Sequence, residues 1–377
     1  MGPDVRLYSA ETIDTLAWPS DAESDRLRRY LVPMMKEGPR RFIDNVDCWM
    51  RALAVDDQVI PVVLSDPVQE NTFVASPYSH YIAYAREELG KVVSPVVSLL
   101  RRGLSLIGAV ARACSLDRVV YVNNRLWVTN PCVRLSREQV AAITDLLTGM
   151  FPDRAVVFRN VDEPTRGRLL GALKACGYGL IASRKIYLYD GSLPTARRHR
   201  DIGHDLRLLR RTPYAMVGVD DLADADFARI AEIYGMLYTD KYSRYNPQFN
   251  ERFFRLVGRD RIMGMMAFRR DGRIDAFASH YEQAGILNPP AIGYDTTLPQ
   301  KLGLYRLAFL MILREAMQRR MTVNLSAGVG RFKMLRGAVP TVEFDAVYDR
   351  HLDPHRRLPW TLLRLAFNRV TVEHFHV

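Results

Sequence analysis

Gly293-Tyr294-Asp295-Thr296-Thr297-Leu298-Pro299-Gln300-Lys301-Leu302-Gly303-Leu304-Tyr305-Arg306 is the stretch that decides the fold. It leaves a short apolar run, AIGY (291–294), crosses Asp, Thr, Pro and Gly, and enters LGLYRLAFLMILREAMQRR (302–320), which predicts a long helix. Upstream, RIMGMMAFRRDG (261–272) and RIDAFASHYEQAG (273–285) read as strands joined at Arg270-Asp271-Gly272-Arg273. Asp-Gly there is a hairpin signal, because both residues accept the positive φ of a tight turn. Downstream, TVNLSAG (322–328) and TVEFDAVYD (341–349) predict two more strands around a short helix, GRFKMLRGA (330–338). A meander followed by a strand-helix-strand unit implies a mixed sheet covered by helices.

Working toward the N-terminus, YAMVGV (214–219) predicts a strand, followed by helices over 224–243 and 247–258. The segment 191–211, GSLPTARRHRDIGHDLRLLRR, has six arginines against two aspartates and reads as a basic linker. Before it, VIPVVLS (59–65) predicts a strand and residues 96–115 a helix. RVVYVNNRLWVTNP (118–131) follows as a strand with a turn at Asn123-Asn124. A helix opened by Ser136, the strand RAVVFRNV (154–161), a helix stopped by Gly177 and the strand YGLIASRKIYLYD (178–190) complete a β-α-β-α-β order. The expectation is an α/β (α+β mixed sheet) protein: a helical leader over 1–45, domains over 46–190 and 212–377, and the linker between them.

The 377 residues, 48% hydrophobic and 25% charged, are enough for two folded units and exclude a wholly disordered chain. Lys and Arg exceed Asp and Glu by 11, which favours anionic partners such as nucleic acid, anionic lipid or a phosphorylated cofactor. Cys48, Cys114, Cys132 and Cys176 show no zinc spacing and read as reduced thiols of a cytoplasmic protein, with no metal expected. No basic-then-apolar signal segment opens the chain, and the apolar stretch 92–113 is broken by Pro95 and Arg101-Arg102, so no membrane insertion is expected. P-loop, zincin and α/β-hydrolase motifs do not occur. The basic run 351–370 suits either an anionic surface or closure of the second core.

The loop opening the long helix carries a chemical expectation of its own. Unpaired N–H groups at a helix start bind anions, Gly303 permits close backbone approach, and Lys301 and Arg306 add positive charge. This stretch and its element order resemble the GNAT acyltransferase superfamily, whose loop Q/R-x-x-G-x-G/A precedes a helix that holds the pyrophosphate of acyl-CoA. Gln300 and Gly303 match two pattern positions, while Tyr305 stands where the family has Gly or Ala. The resemblance implies two GNAT-like domains, with Gln300, Lys301, Leu302, Gly303, Leu304, Tyr305 and Arg306 around the acyl-CoA donor.

Asn324-Leu325-Ser326-Ala327-Gly328-Val329-Gly330-Arg331-Phe332-Lys333-Met334-Leu335-Arg336-Gly337-Ala338 further resembles the Gly-rich strand end and aromatic-Lys pair of FemAB-like transferases, with Phe332 replacing the usual Tyr. That resemblance gives Lys333 a place near the acyl carbonyl and admits aminoacyl-tRNA as the donor. Deprotonation of an attacking amine needs a base. Asp295, at the strand end, is the first candidate and Glu282 the second; Tyr294 or Tyr348 would protonate the leaving group. Tyr78, His80, Tyr81 and Tyr84, with Tyr238, Tyr242 and Tyr245, are candidates to line the pocket of an acceptor. That acceptor is expected to be a small amine, hydroxyl or hydroxylamine compound. Two readings compete: an acyl or aminoacyl transferase, and a non-catalytic polyanion-binding module on the same fold.

Overall fold

A computed structural model describes residues 2–90, 95–193 and 199–374. Arg197 and Arg198 of the basic segment lie outside them. The chain begins with β1 (Val5–Tyr8), α1 (Ala22–Lys36), β2 (Trp49–Val55) and β3 (Gln58–Ser65). It continues through α2 (Tyr84–Gly90), α3 (Pro95–Ala113), β4 (Val119–Val122), α4 (Arg137–Met150), β5 (Ala155–Asp162), α5 (Glu163–Ala175) and β6 (Gly179–Asp190). After α6 (Arg200–Arg211) the same order recurs. It runs β7 (Ala215–Gly218), α7 (Asp224–Gly235), α8 (Glu251–Arg259), β8 (Gly264–Arg270), β9 (Arg273–Gln283), β10 (Ile286–Asn288), β11 (Ile292–Tyr294), α9 (Leu304–Arg319), β12 (Thr322–Asn324), α10 (Gly330–Met334), β13 (Val339–Tyr348) and α11 (Pro354–His374).

Local chemistry sets these boundaries. Ser136 and Gln139 form a reciprocal capping box at the start of α4. The β8–β9 turn places Asp271 at φ 50° and Gly272 at φ 78°, the twist that suits a two-residue hairpin. α9 is apolar on nearly every side from Leu304 to Met317 and is accordingly buried. Pro33 lies inside α1 without ending it, and the chain leaves the helix at Gly38, φ 85°.

Both halves fold by one plan. In the first, β2, β3 and β4 form an antiparallel meander and α4 carries the chain to β5, parallel to β4. In the second, β8, β9 and the broken strand β10/β11 form the meander, and α9 carries the chain to β12, parallel to β10. The final strands are exchanged: β13 enters between β5 and β6, and β6 pairs β12. A continuous sheet therefore runs β1-β2-β3-β4-β5-β13-β6-β12-β10-β9-β8-β7 through both halves.

Several expectations change here. The strand expected over 118–131 ends at Val122, and the chain beyond it is irregular and buried. The segment expected as a linker is helical over 200–211 and packs on α9, with Ile202 and Asp205 fully buried. The leader's α1 contributes Tyr30, Leu31 and Met34 to the core, where Tyr30 meets Trp127 and Trp127 meets Tyr281 of β9. The four cysteines are free thiols. Among the described residues no helix is long and apolar enough to cross a membrane, and no His, Cys, Asp or Glu group could hold a metal ion.

Candidate functional site

Two parallel strands joined by a helix part at their carboxyl ends, and open α/β sheets bind ligands in that crevice. Each half contains such a seam. In the first half it is closed: the irregular chain after β4 folds into it, with Asn130 donating from its backbone N–H and Nδ2 to Asn160 Oδ1 (3.1 and 2.8 Å) and Asn160 Nδ2 donating to the Val128 carbonyl. Leu126, Trp127, Asn130 and Asn160 are fully buried there.

In the second half the seam is open. β10 and β12 stay paired only over Ile286–Thr322 and Leu287–Val323, after which Pro289-Pro290 turn one strand away and Leu325–Val329 the other. Between them lies a cavity of about 300 Å³. Tyr305, Phe309 and Ile312 of α9 line it from below, while His80, Tyr81 and Tyr84 of the first half face it from across the sheet. Tyr238 and Tyr242 complete an aromatic wall. Tyr78 lies instead beneath the Arg112 guanidinium, and Tyr245 beneath that of Arg244.

The polar part of the cavity is concentrated on β6 and the turn after β12. Arg184 donates from Nε and Nη2 to Glu343 Oε2 (2.9 and 2.6 Å) and reaches the Val128 carbonyl and Ser326 Oγ. Next to it, Ser183 Oγ lies 2.9 Å from His80 Nε2. Burial, reinforced by the Arg159 and Arg184 charges, holds the His80 pKa well below the ordinary imidazole value, so the ring is neutral at pH 7. Asp345, fully buried on the exchanged strand β13, accepts a hydrogen bond from Tyr81 (2.8 Å) and stands 4.0 Å from the same His80 nitrogen. Its pKa is raised, chiefly by burial.

Lys333 is 3% exposed and lines the cavity; its Nζ donates to the carbonyls of Leu325 (2.7 Å), Ser326 (3.1 Å) and Ala327 (2.6 Å). Burial and then the Arg184 charge lower its pKa to about 7, against the three carbonyls, which favour the charged form. Its bonds hold a turn in which Ser326 (φ 59°), Gly328 (φ 78°) and Val329 (φ 45°) are left-handed. For β-branched Val329 that conformation is costly, and such strain persists where surrounding structure enforces it. A Cβ on Gly330 would lie 1.9 Å from the Tyr187 hydroxyl, so a larger residue there would have to push the Tyr187 ring aside.

The other expected catalytic residues lie elsewhere. Asp295 is buried outside the cavity, its Oδ2 paired with Arg229 and Arg273 and its Oδ1 accepting from Thr297. Burial raises its pKa, but the Thr297 and Arg229 hydrogen bonds outweigh this and hold it low. Both of its oxygens are thus engaged away from the cavity, which leaves no free lone pair directed at a substrate there. Glu282 pairs with Arg319 at 3.0 Å, also outside the cavity. The Tyr294 hydroxyl accepts from Lys241, and Tyr348 packs between Tyr178 and His351.

The expected donor loop is covered. Gln300–Leu302 form one tight turn and Gly303 (φ 67°) caps α9, but a Cβ on Gly303 would stand 2.5 Å from the Leu208 side chain of α6. Beside it, Arg306 Nε donates to Asp205 Oδ1 (2.7 Å), and Arg336 Nε to Asp205 Oδ2 (2.7 Å). Gln300 and Lys301 are exposed, Leu302 and Leu304 pack on the core around α9, and Tyr305 lies in the cavity wall against Tyr294 and Phe332.

Strand, helices, meander, parallel strand-helix-strand unit and last strand occur in order in each half. The fold is GNAT-like, twice over. No protein-family profile matches the sequence, and no curated protein does. Among solved structures, the chain is similar to the C-terminal domain (DUF2156) of a putative lysylphosphatidylglycerol synthetase from Agrobacterium fabrum, at 14% identity and TM-score 0.45, covering 62% of this chain and 77% of that one. It is also similar to FemX, at 10% identity and TM-score 0.43, covering 57% and 78%. A tandem GNAT protein from the clavulanic acid biosynthesis pathway is similar at 11% identity and TM-score 0.40, covering 92% and 98%. In this tandem GNAT-like fold the seam of the second half holds a cavity whose lining residues come from both halves.

His80, Ser183, Arg184, Glu343 and Asp345 were not among the expected catalytic residues. One signal was legible: TVEFDAVY (341–348) places two acids, Glu343 and Asp345, at alternate positions of an otherwise largely apolar strand, the spacing that puts both on one face.

Proposed function

We propose that the chain transfers an aminoacyl or acyl group to the amine of an acceptor held in the open seam, by direct attack in a ternary complex: the amide bond forms as the donor's ester or thioester bond breaks, and the donor leaves as the tRNA hydroxyl or the CoA thiol, taking up the proton the amine loses. The observation that carries this reading is the cavity itself, at the carboxyl ends of parallel strands, with an aromatic wall and a short polar edge. The wall suits the apolar body of an acceptor or of the transferred group. Neutral His80, hydrogen-bonded to Ser183 in the cavity wall, takes the proton from the attacking amine in place of Asp295 or Glu282. Lys333 fixes the turn at the cavity's edge and places its charge near the reacting carbonyl.

For the donor, the cover over Gly303 favours aminoacyl-tRNA over acyl-CoA. A CoA pyrophosphate at the start of α9 would have to displace Leu208 and compete with Asp205 for Arg306. Arg200, Arg207, Arg210 and Arg211 are exposed on the same α6 and supply the surface a polyanion needs. The test is a transfer assay with an amine acceptor library, offering a labelled aminoacyl-tRNA pool or acyl-CoA thioesters to the full chain. Transfer from tRNA that weakens steeply with salt is expected. Transfer from CoA thioesters alone would overturn the donor assignment. Salt-sensitive tRNA binding with no transfer from either donor would overturn the enzyme reading in favour of the polyanion-binding module.

A further inference from the structure

Helix α3 is apolar on both faces. Its inner face buries Leu104, Gly108 and Ala111, as an amphipathic helix should. Its outer face leaves Leu99 71% exposed, Leu106 72% exposed and Leu100 42% exposed. Leu99, Leu106 and Val110 follow one another at spacings of seven and four, so they form a single outward stripe with Arg102 beside it. Arg101 and Arg102 are exposed, and among the described residues neither has an ionic partner. From Lys91 to Leu116 the sequence holds no acidic residue. α11, which packs against α3, also exposes leucines seven apart, Leu358 and Leu365, with Arg357 exposed on the same helix.

We infer that the outer face of α3 docks the protein on an anionic lipid bilayer. Exposed leucines need an apolar phase, and the arginines beside them need anions at the same depth. The headgroup boundary of an anionic bilayer supplies both, and a helix lying in that plane meets it with an apolar stripe flanked by basic side chains. A second copy of the chain satisfies this face poorly. A twofold contact sets this face against its own copy, so two basic helices would meet with no carboxylate on either to offset the arginines. The inference stands apart from the transferase reading, since it concerns a face outside the cavity.

The test is co-sedimentation of the full chain with phosphatidylcholine vesicles, with and without phosphatidylglycerol. Binding is expected only to the anionic vesicles, weakening with salt. L99E/L106E should reduce partitioning by about tenfold or more, because each leucine contributes its apolar area. R101E/R102E should do so by loss of charge attraction. Both pairs are exposed, so thermal melting should be unchanged and separate a docking defect from misfolding. As a direct probe, Leu106→Trp should show an emission blue shift on anionic vesicles beyond any shift of the parent protein. No binding by the parent protein, or binding that L99E/L106E leaves intact, would overturn the inference. So would a concentration-dependent dimer abolished by L99E/L106E, which would assign the face to a second copy.

Discussion

Lys333 gives the sharpest test of how burial competes with hydrogen bonding at this site. Burial and the Arg184 charge lower its pKa from the ordinary 10.5 to about 7. Below pH 7 folded and unfolded chains both carry the proton, and this residue adds no pH dependence. Between about pH 7 and 10.5 the unfolded chain keeps the proton and the folded chain releases it, so stability rises with pH. The full rise is about 4 to 5 kcal/mol, at about 1.4 kcal/mol for each pH unit. Lys333→Met keeps the length and apolar stem and removes the titration. Urea unfolding of both proteins across this range should therefore show the stability difference growing in favour of the parent protein as pH rises. The carbonyls of Leu325, Ser326 and Ala327 oppose this by stabilising the ammonium. A difference constant to within about 1 kcal/mol over the range would refute the reasoning, because those bonds would then have kept the charge.

Two further substitutions test the supports of the cavity. Asp205→Asn removes the carboxylate that holds both Arg306 and the nearly inaccessible Arg336, and should cost about 3 to 5 kcal/mol in chemical denaturation, as breaking a buried ion pair does. A loss under about 1 kcal/mol would mean the guanidinium of Arg336 finds other partners. Gly330→Ala should destabilise by about 1 to 3 kcal/mol through its clash with Tyr187, and Tyr187→Phe in the same chain should recover part of that loss; an unchanged double mutant would locate the strain elsewhere.

The elements that were legible in the sequence are those whose signals are local. The Asp271-Gly272 hairpin, the Ser136 cap and the long apolar helix at 304–319 each declare themselves within a few residues. The repeated order of elements gave the fold class for the same reason. What was not legible depends on distant pairing. Asp295 reads as a base because it ends a strand, whereas its engagement by Arg273 and by Arg229, 66 residues away, appears only in the folded chain. His80 and Ser183 lie 103 residues apart, and β13 reaches β5 and β6 only through the strand exchange. The arginines of 200–211 resemble a solvated linker, while Ile202 and Asp205, three apart on one helix face, carry its contact with the second half.

The strand exchange also explains why one seam is open and why both halves are needed to build it. β6 belongs to the first half in sequence but lies against β12, so Ser183 and Arg184 are delivered to the seam of the second half. β13 travels the other way, and its Glu343 neutralises Arg184 while Asp345 anchors Tyr81. The contacts Arg184–Glu343, Arg184–Ser326 and Tyr81–Asp345 thus join residues of different halves and fix the two sides of the cavity against one another. α6 is an amphipathic helix held over the start of α9 by Leu208 and by the charges on Asp205. Its inner contacts cover the start of α9, where the sequence predicts an anion site, and its outer side carries exposed arginines. Under the proposed transferase function, a donor recognised on that outer surface would need no displacement of α6, whereas one bound at Gly303 would first have to move Leu208 and break the Asp205 ion pairs.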